Sequence, residues 1–232
     1  MVRWRDTLIV FGGKSTVDER EVCDLWTFNM TTLTWAEVAT NASAVDAGTD
    51  PAAVTSAVCL SGHSALMTTL ATTGEDVMVV LFGNHPQLGL NARVYEYLPA
   101  EALWRRPLVY GDPVVGSYGQ AMAYDAGHQR AYVYGGYTRV HSSHADFTLS
   151  DRLVVYDVGL RRFEAVVDSA PGGGGAAAAV VKMKRYLHTV ELVASSALYV
   201  YGGDGHNTSA VEKCFLAELQ VYSVACNRSV VV

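Results

Sequence analysis

Hydrophobic residues along this chain come in short runs that alternate with polar positions, and four of these runs stop at a pair of small residues. They are Ile9–Gly13 (IVFGG), Val80–Asn84 (VLFGN), Tyr132–Gly136 (YVYGG) and Tyr199–Gly203 (YVYGG). The breaks thus fall at Gly12 and Gly13, at Gly83 and Asn84, at Gly135 and Gly136, and at Gly202 and Gly203. They recur every 50–70 residues or so, which points to an array of repeats. After each break and a polar loop comes a second apolar run ending in an aromatic: Leu25–Phe28, Val94–Tyr97, Leu153–Tyr156 and Leu219–Tyr222. The seventh residue beyond that aromatic is Trp35, Trp104, Phe163 and, in the last case, Ser229. A fixed offset beside loops of variable length is what a tight hairpin imposes, because its turn sets the register.

Three breaks also have a lead-in strand, opening at Gly62-His63, Gly119-Gln120 and Leu187-His188. No segment keeps a capped apolar period of 3.6, so the pattern predicts an all-β protein built from four-stranded antiparallel units. The predicted units are a partial one at 1–39, then 57–107, 117–168 and 184–232, with a Gly/Ala-rich linker at 169–183. Sheets packed radially around an axis crowd at one end and gape at the other. Glycine suits the crowded end, where it permits a positive φ. Tyr97, Tyr156, Tyr222 and the aromatics opposite them suit the gap, each burying roughly 150–250 Å².

Composition narrows the function. The 232 residues are 50% hydrophobic and carry a net charge of −6, with no basic cluster to displace counterions from nucleic acid. No apolar run reaches the roughly 20 residues that cross a bilayer, and no export signal is visible at Met1–Asp6. Any membrane attachment is expected in segments outside this chain. Asn29, Asn41, Asn207 and Asn227 each begin an N-x-S/T sequon, which favours an exported, glycosylated protein. Of the four cysteines, Cys214 and Cys226 would stand at opposite ends of one strand, too far apart to bond unless the loops fold back. Cys23 and Cys59 are free to pair, and the connectivity stays open on this ground alone.

Candidate chemistry is thin. His141, His144 and Asp146 form the best metal-like cluster, yet no second ligand group accompanies them, and no metal or cofactor is assigned. His63 and His188 are expected to bond backbone rather than act as bases. Pro171–Ala179 lacks the Lys-Ser/Thr of a phosphate loop, and no G-x-S-x-G elbow appears, so no catalytic residue is assigned.

One resemblance covers almost the whole chain. Glu75–Gly83, Tyr118–Asp125, Tyr132–Tyr137, Arg185–His188, Gly202-Gly203 with His206-Asn207, and above all the cysteine-bracketed strand Cys214–Cys226 resemble the kelch region of attractin and attractin-like proteins. The resemblance implies a six-bladed β-propeller in the extracellular part of a type I membrane glycoprotein, or in a secreted form. CUB, EGF-like, plexin-repeat and lectin-like modules would lie nearby. Departures are Ser229 in place of the last aromatic, Gln120 where histidine is usual, and the glycine-alanine tract. With three to four blades, the chain is expected to be a fragment of the propeller. The expected function is non-enzymatic binding of a protein ligand or co-receptor through the loops at 14–24, 85–93, 137–151 and 204–213. The alternatives are an intracellular kelch adaptor for a ubiquitin ligase or the cytoskeleton and, more remotely, a copper enzyme like galactose oxidase.

Overall fold

The computed structural model describes residues 1–39, 41–42, 58–139, 147–165, 183–205, 216–224 and 228–231. The described residues form strands and turns with no helix, and the chain divides into two compact units.

The first unit comprises Met1–Tyr110, Val115–Tyr118 and Val158–Arg161, and its described residues hold two large sheets and a small two-stranded one. In the first sheet Val2–Trp4, Thr7–Phe11, Leu25–Asn29 and Thr34–Glu37 pair antiparallel in chain order. This corrects the expectation of a partial blade at 1–39. Val2–Trp4 is a full partner of Thr7–Ile9, but at three residues it is too short to show an alternating pattern. The second sheet is built from Ser64–Thr69, Asp76–Leu81, Val94–Leu98 and Leu103–Arg105. Asn41–Ala42 adds a fifth strand, running parallel to Leu103 and Trp104. Ile9, Phe11 and Leu25 of the first sheet meet Met78, Val80, Tyr97 and Trp104 of the second in one buried cluster.

The second unit repeats the plan. Ala121–Asp125, Arg130–Tyr134, Leu153–Asp157 and Arg162–Ala165 form the core of one sheet. Thr189–Val193, Ala197–Tyr201, Leu219–Ser223 and Arg228–Val231 form the next. Tyr132, Tyr134, Leu153 and Val155 pack against Val190, Leu198, Val200 and Tyr222. In both units the apolar side chains of neighbouring sheets face one another, which is why central strands such as Asp76–Leu81 read as continuous apolar runs.

The seven-residue offset is a direct pairing across the last hairpin of every sheet. Phe28 stands opposite Trp35, Tyr97 opposite Trp104, Tyr156 opposite Phe163 and Tyr222 opposite Ser229. The turn that fixes it uses a left-handed residue just before the fourth strand: Leu33 at φ 57°, Ala102 at 51° and Arg161 at 51°. Such a residue closes a four- or five-residue hairpin with the twist the strands require.

The face built on the strand-breaking glycines

The end of each second strand is the most closely repeated geometry in the protein. The carbonyls of Gly13, Gly83, Gly136 and Gly203 accept bonds from the amides of Val22, Asn91, Ser150 and Leu216 at 3.0, 2.8, 2.9 and 2.9 Å. Each donor lies just ahead of its third strand, so each bond closes the base of a loop. The amides of Gly13 and Gly136 in turn donate to Leu60 and Arg185, both at 2.8 Å, on the chain that enters the following sheet of the same unit, and that of Gly83 donates to Ser117 at 2.7 Å. The glycines are therefore demanded by a contact as well as by a dihedral. A Cβ on Gly12 would stand 2.5 Å from the Leu60 carbonyl oxygen, and one on Gly135 would stand 2.6 Å from that of Arg185.

This alignment corrects the second break. Leu81 pairs with Val94 as Phe11 pairs with Leu25 and Tyr134 with Leu153, so the residue after it, Phe82, holds the first-glycine position. Phe82 has φ 62°, matching Gly12 at 60° and Gly135 at 70°, and Gly83 is the second member of its pair, with Asn84 one place beyond. A left-handed phenylalanine costs on the order of 1–2 kcal/mol, offset here by burial of its ring to 3% exposure. The apolar character of Phe82 hid the register in the sequence.

His63 and His188 occupy the hollows that the glycines leave. A Cβ on Gly12 would lie 3.3 Å from Cε1 of His63, and a Cβ on Gly135 would lie 2.7 Å from Cε1 of His188. The rings stack near Phe11 at 5.1 Å and Tyr134 at 5.5 Å. Burial lowers the pKa of each to about 4, helped for His188 by the Arg185 charge, so both are neutral at pH 7. The Leu60 backbone bonds His63, as expected, while its Nδ1 has no partner; a backbone influence from Tyr134 acts likewise on His188, whose ring is held mainly by packing.

Within each unit the loops beyond these glycines are held by polar contacts. In the first unit, Cys23 and Cys59 form a disulfide that joins the loop after Gly13 to the chain entering the second sheet. Glu21 of the same loop accepts bonds from Asn84 Nδ2 at 2.6 Å and Ser61 Oγ at 3.4 Å. The next loop is a small hairpin, Asn84–His85 against Gly89–Leu90, in which His85 Nδ1 accepts from the amides of Gln87 and Leu88. Burial, then the Arg93 charge, lowers the His85 pKa and favours this acceptor role. Asn91, 2% exposed, donates to the carbonyls of Phe82 and Arg93 at 3.2 and 2.9 Å. In the second unit Tyr137–Arg139 pairs antiparallel with Phe147–Leu149.

Deeper in the first unit lies a charge cluster with no signature in the sequence. Glu96 is fully buried, takes Arg105 Nε at 2.6 Å, and accepts from Nε and Nη2 of Arg161, both at 3.0 Å. A buried carboxylate held by two guanidiniums is compensated, and removing one partner would strand a charge. No local motif announces it, because Glu96 sits 65 residues from Arg161.

The remaining candidates divide by position. Asn29 is exposed at a strand end, its Oδ1 capping the amides of Thr31 and Thr32 at 2.9 Å each. Asn41 is placed by its backbone pairing alone. Asn207, Asn227, Cys214, Cys226, His141, His144, Asp146, the Pro171–Ala179 tract and most of the 204–213 loop lie outside the described residues. Among the described residues no group of three or more His, Cys, Asp or Glu side chains could hold a metal ion. Among the described residues no helix is long and apolar enough to cross a membrane.

Repeated four-stranded sheets, strand-breaking glycines that bond the next sheet's lead-in, and aromatics wedged between sheets define a kelch-type β-propeller, a protein-interaction module. The family model for the attractin/LZTR1 β-propeller matches residues 1–232. The chain belongs to that family. Among the described residues four blade-like sheets form, beside two smaller ones, against the six blades expected from the resemblance.

Proposed function

We propose that this chain is the ligand-binding propeller of an attractin-like extracellular glycoprotein, anchored or secreted, that recognises a protein ligand or co-receptor in cell-surface signalling. It works by binding rather than catalysis, with blades at about 1–39, 57–107, 117–168 and 184–232 presenting loops on a rigid scaffold. The observation that carries the reading is the Cys23–Cys59 disulfide, since such bonds persist in oxidising compartments. The exposed sequon at Asn29 supports it, its turn leaving the amide open to a glycan.

The test is intact mass of the protein from a secreting eukaryotic cell, before and after glycosidase and under alkylation without reductant. The expected result is a glycan mass that Asn29→Gln reduces, together with blocked thiols at Cys23 and Cys59. Unmodified asparagines and two alkylatable thiols at those cysteines would overturn the reading in favour of an intracellular adaptor.

A further inference from the structure

The loop face of the second unit carries a cluster that the fold itself does not use. Tyr137 and Phe147 lie across the ribbon of Tyr137–Arg139 and Phe147–Leu149, with ring centroids 6.2 Å apart. Tyr186 meets Tyr137 edge-on at 5.3 Å, and its hydroxyl reaches Asp204 at 3.4 Å. Leu187 follows, held at φ 54° by its amide bond to the Gly119 carbonyl and 64% exposed. Phe147 is 47% exposed. Above it stands Arg139, its guanidinium carbon 5.7 Å from the ring centroid.

Arg139 is the decisive residue. It forms no ion pair among the described residues, and its Nε is buried with no hydrogen-bond partner. The protein is acidic overall, so a lone arginine held over an aromatic ring stands out against its surroundings. Arginine and aromatic side chains are the anchors that dominate protein interfaces, and a guanidinium flattened on a ring is pre-organised for a planar carboxylate. A membrane surface or a nucleic acid would need several cations, and the cluster offers one.

We propose that Tyr137, Arg139, Phe147, Tyr186 and Leu187 form a docking site for an acidic, leucine- or tryptophan-bearing peptide segment of a partner protein. The Arg139 guanidinium takes an Asp or Glu carboxylate of the partner, while Phe147 and Leu187 cover the neighbouring apolar side chain. This deepens the reading of the chain as an interaction module and rests on it.

The experiment titrates the whole chain into fluorescein-labelled synthetic peptides that place Asp or Glu beside Leu or Trp in a Gly/Ser background. A matched set carries Asn or Gln instead of the acids. Acidic peptides should bind, the neutral set at least about tenfold more weakly, as expected for a lost charge-assisted bond. Arg139→Met and Phe147→Ser should each weaken acidic-peptide binding by about tenfold or more. Arg139→Lys should recover only part, because it keeps the charge without the planar fork. Leu33→Asp, in an exposed hairpin turn of the first unit outside the binding loops, should change nothing. Equal binding of both peptide sets, or no binding of either, overturns the proposal. Binding that survives Arg139→Met and Phe147→Ser, or that is lost in Leu33→Asp, also overturns it, while leaving the interaction-module reading intact.

Discussion

Phe28 and Trp35 in the first sheet, and Tyr97 and Trp104 in the second, face each other across equivalent hairpins with ring centroids 5.0 and 5.2 Å apart. Register and ring geometry match, but Trp35 is 56% exposed and Trp104 is 4% exposed. The difference is the neighbour. Trp104 lies 4.7 Å from Phe11 of the first sheet, whereas no described residue of a further sheet covers Trp35. The second unit shows the other side of the same situation. Tyr199 and Tyr201 of the last sheet hold the places of Ile9 and Phe11, yet they are 37% and 52% exposed against 1% and 5%. The repeat pattern thus places side chains for a neighbouring sheet whether or not one covers them. Their energetic weight comes from the contact, as in arrays where stability sums over nearest-neighbour interfaces.

The largest effect that tests this comparison is truncation of the paired tryptophans. Trp104→Ala should cost about 3–5 kcal/mol, the range for emptying a packed aromatic site. Trp35→Ala should cost less than about 1 kcal/mol, since most of its surface is already in water. Urea unfolding followed by far-ultraviolet circular dichroism measures both. Equal losses would show that the hairpin pair, and not the sheet-to-sheet contact, carries the energy.

The glycines allow a sharper version, because backbone and contact can be separated. Gly12 and Gly202 share a left-handed φ, 60° and 72°, so alanine at either pays a similar dihedral penalty of about 1 kcal/mol or more. At Gly12 the new methyl would also meet the Leu60 carbonyl at 2.5 Å, while at Gly202 the nearest atom is 3.8 Å away. Gly12→Ala should therefore destabilise by about 1–3 kcal/mol more than Gly202→Ala in the same urea experiment. Equal costs would mean that the glycines answer to the turn alone.

What the sequence disclosed follows from the same distinction. The breaks, the aromatic offset and the four-strand unit were legible because glycine after a β-branched or aromatic run has few other meanings. Val2–Trp4 was missed, being too short for periodicity and lacking the His or Gln lead-in of the other three sheets. The second break was misplaced by one residue, since the burial that compensates the left-handed Phe82 is tertiary. Leu33, Ala102 and Arg161 adopt left-handed turns without the glycine or asparagine that would advertise them. Glu96 and its two arginines were invisible for a plainer reason. Charged residues on strands usually read as solvent-facing, and only the packed unit shows this one fully enclosed. The candidate docking site was legible only in part: its loop at 137–151 was expected to bind, but the meeting of Tyr137 with Tyr186 is made by the lead-in rather than by spacing.

The smallest expected effect concerns the histidines set against the glycine hollows. Neutral His63 and His188, with pKa values lowered to about 4, contrast with Gln120, which opens the corresponding strand of the third sheet and does not titrate. In the unfolded chain both imidazoles regain a pKa near 6.5, so between about pH 6.5 and pH 4 the unfolded state binds more protons. Stability is then fully present above pH 6.5 and falls as the pH drops through that window, by up to about 1.4 kcal/mol per pH unit for each histidine. It levels off below the folded value of about 4, as far as these two groups are concerned. His63→Gln, which copies the third sheet's solution, should remove its share of the slope while leaving stability at pH 7.5 within about 1 kcal/mol of the parent. Urea midpoints measured from pH 7.5 to pH 4.5 give the answer. A slope unchanged by His63→Gln would mean that the imidazole takes up its proton over the same pH range folded and unfolded, and that burial beside Gly12 does not hold it neutral.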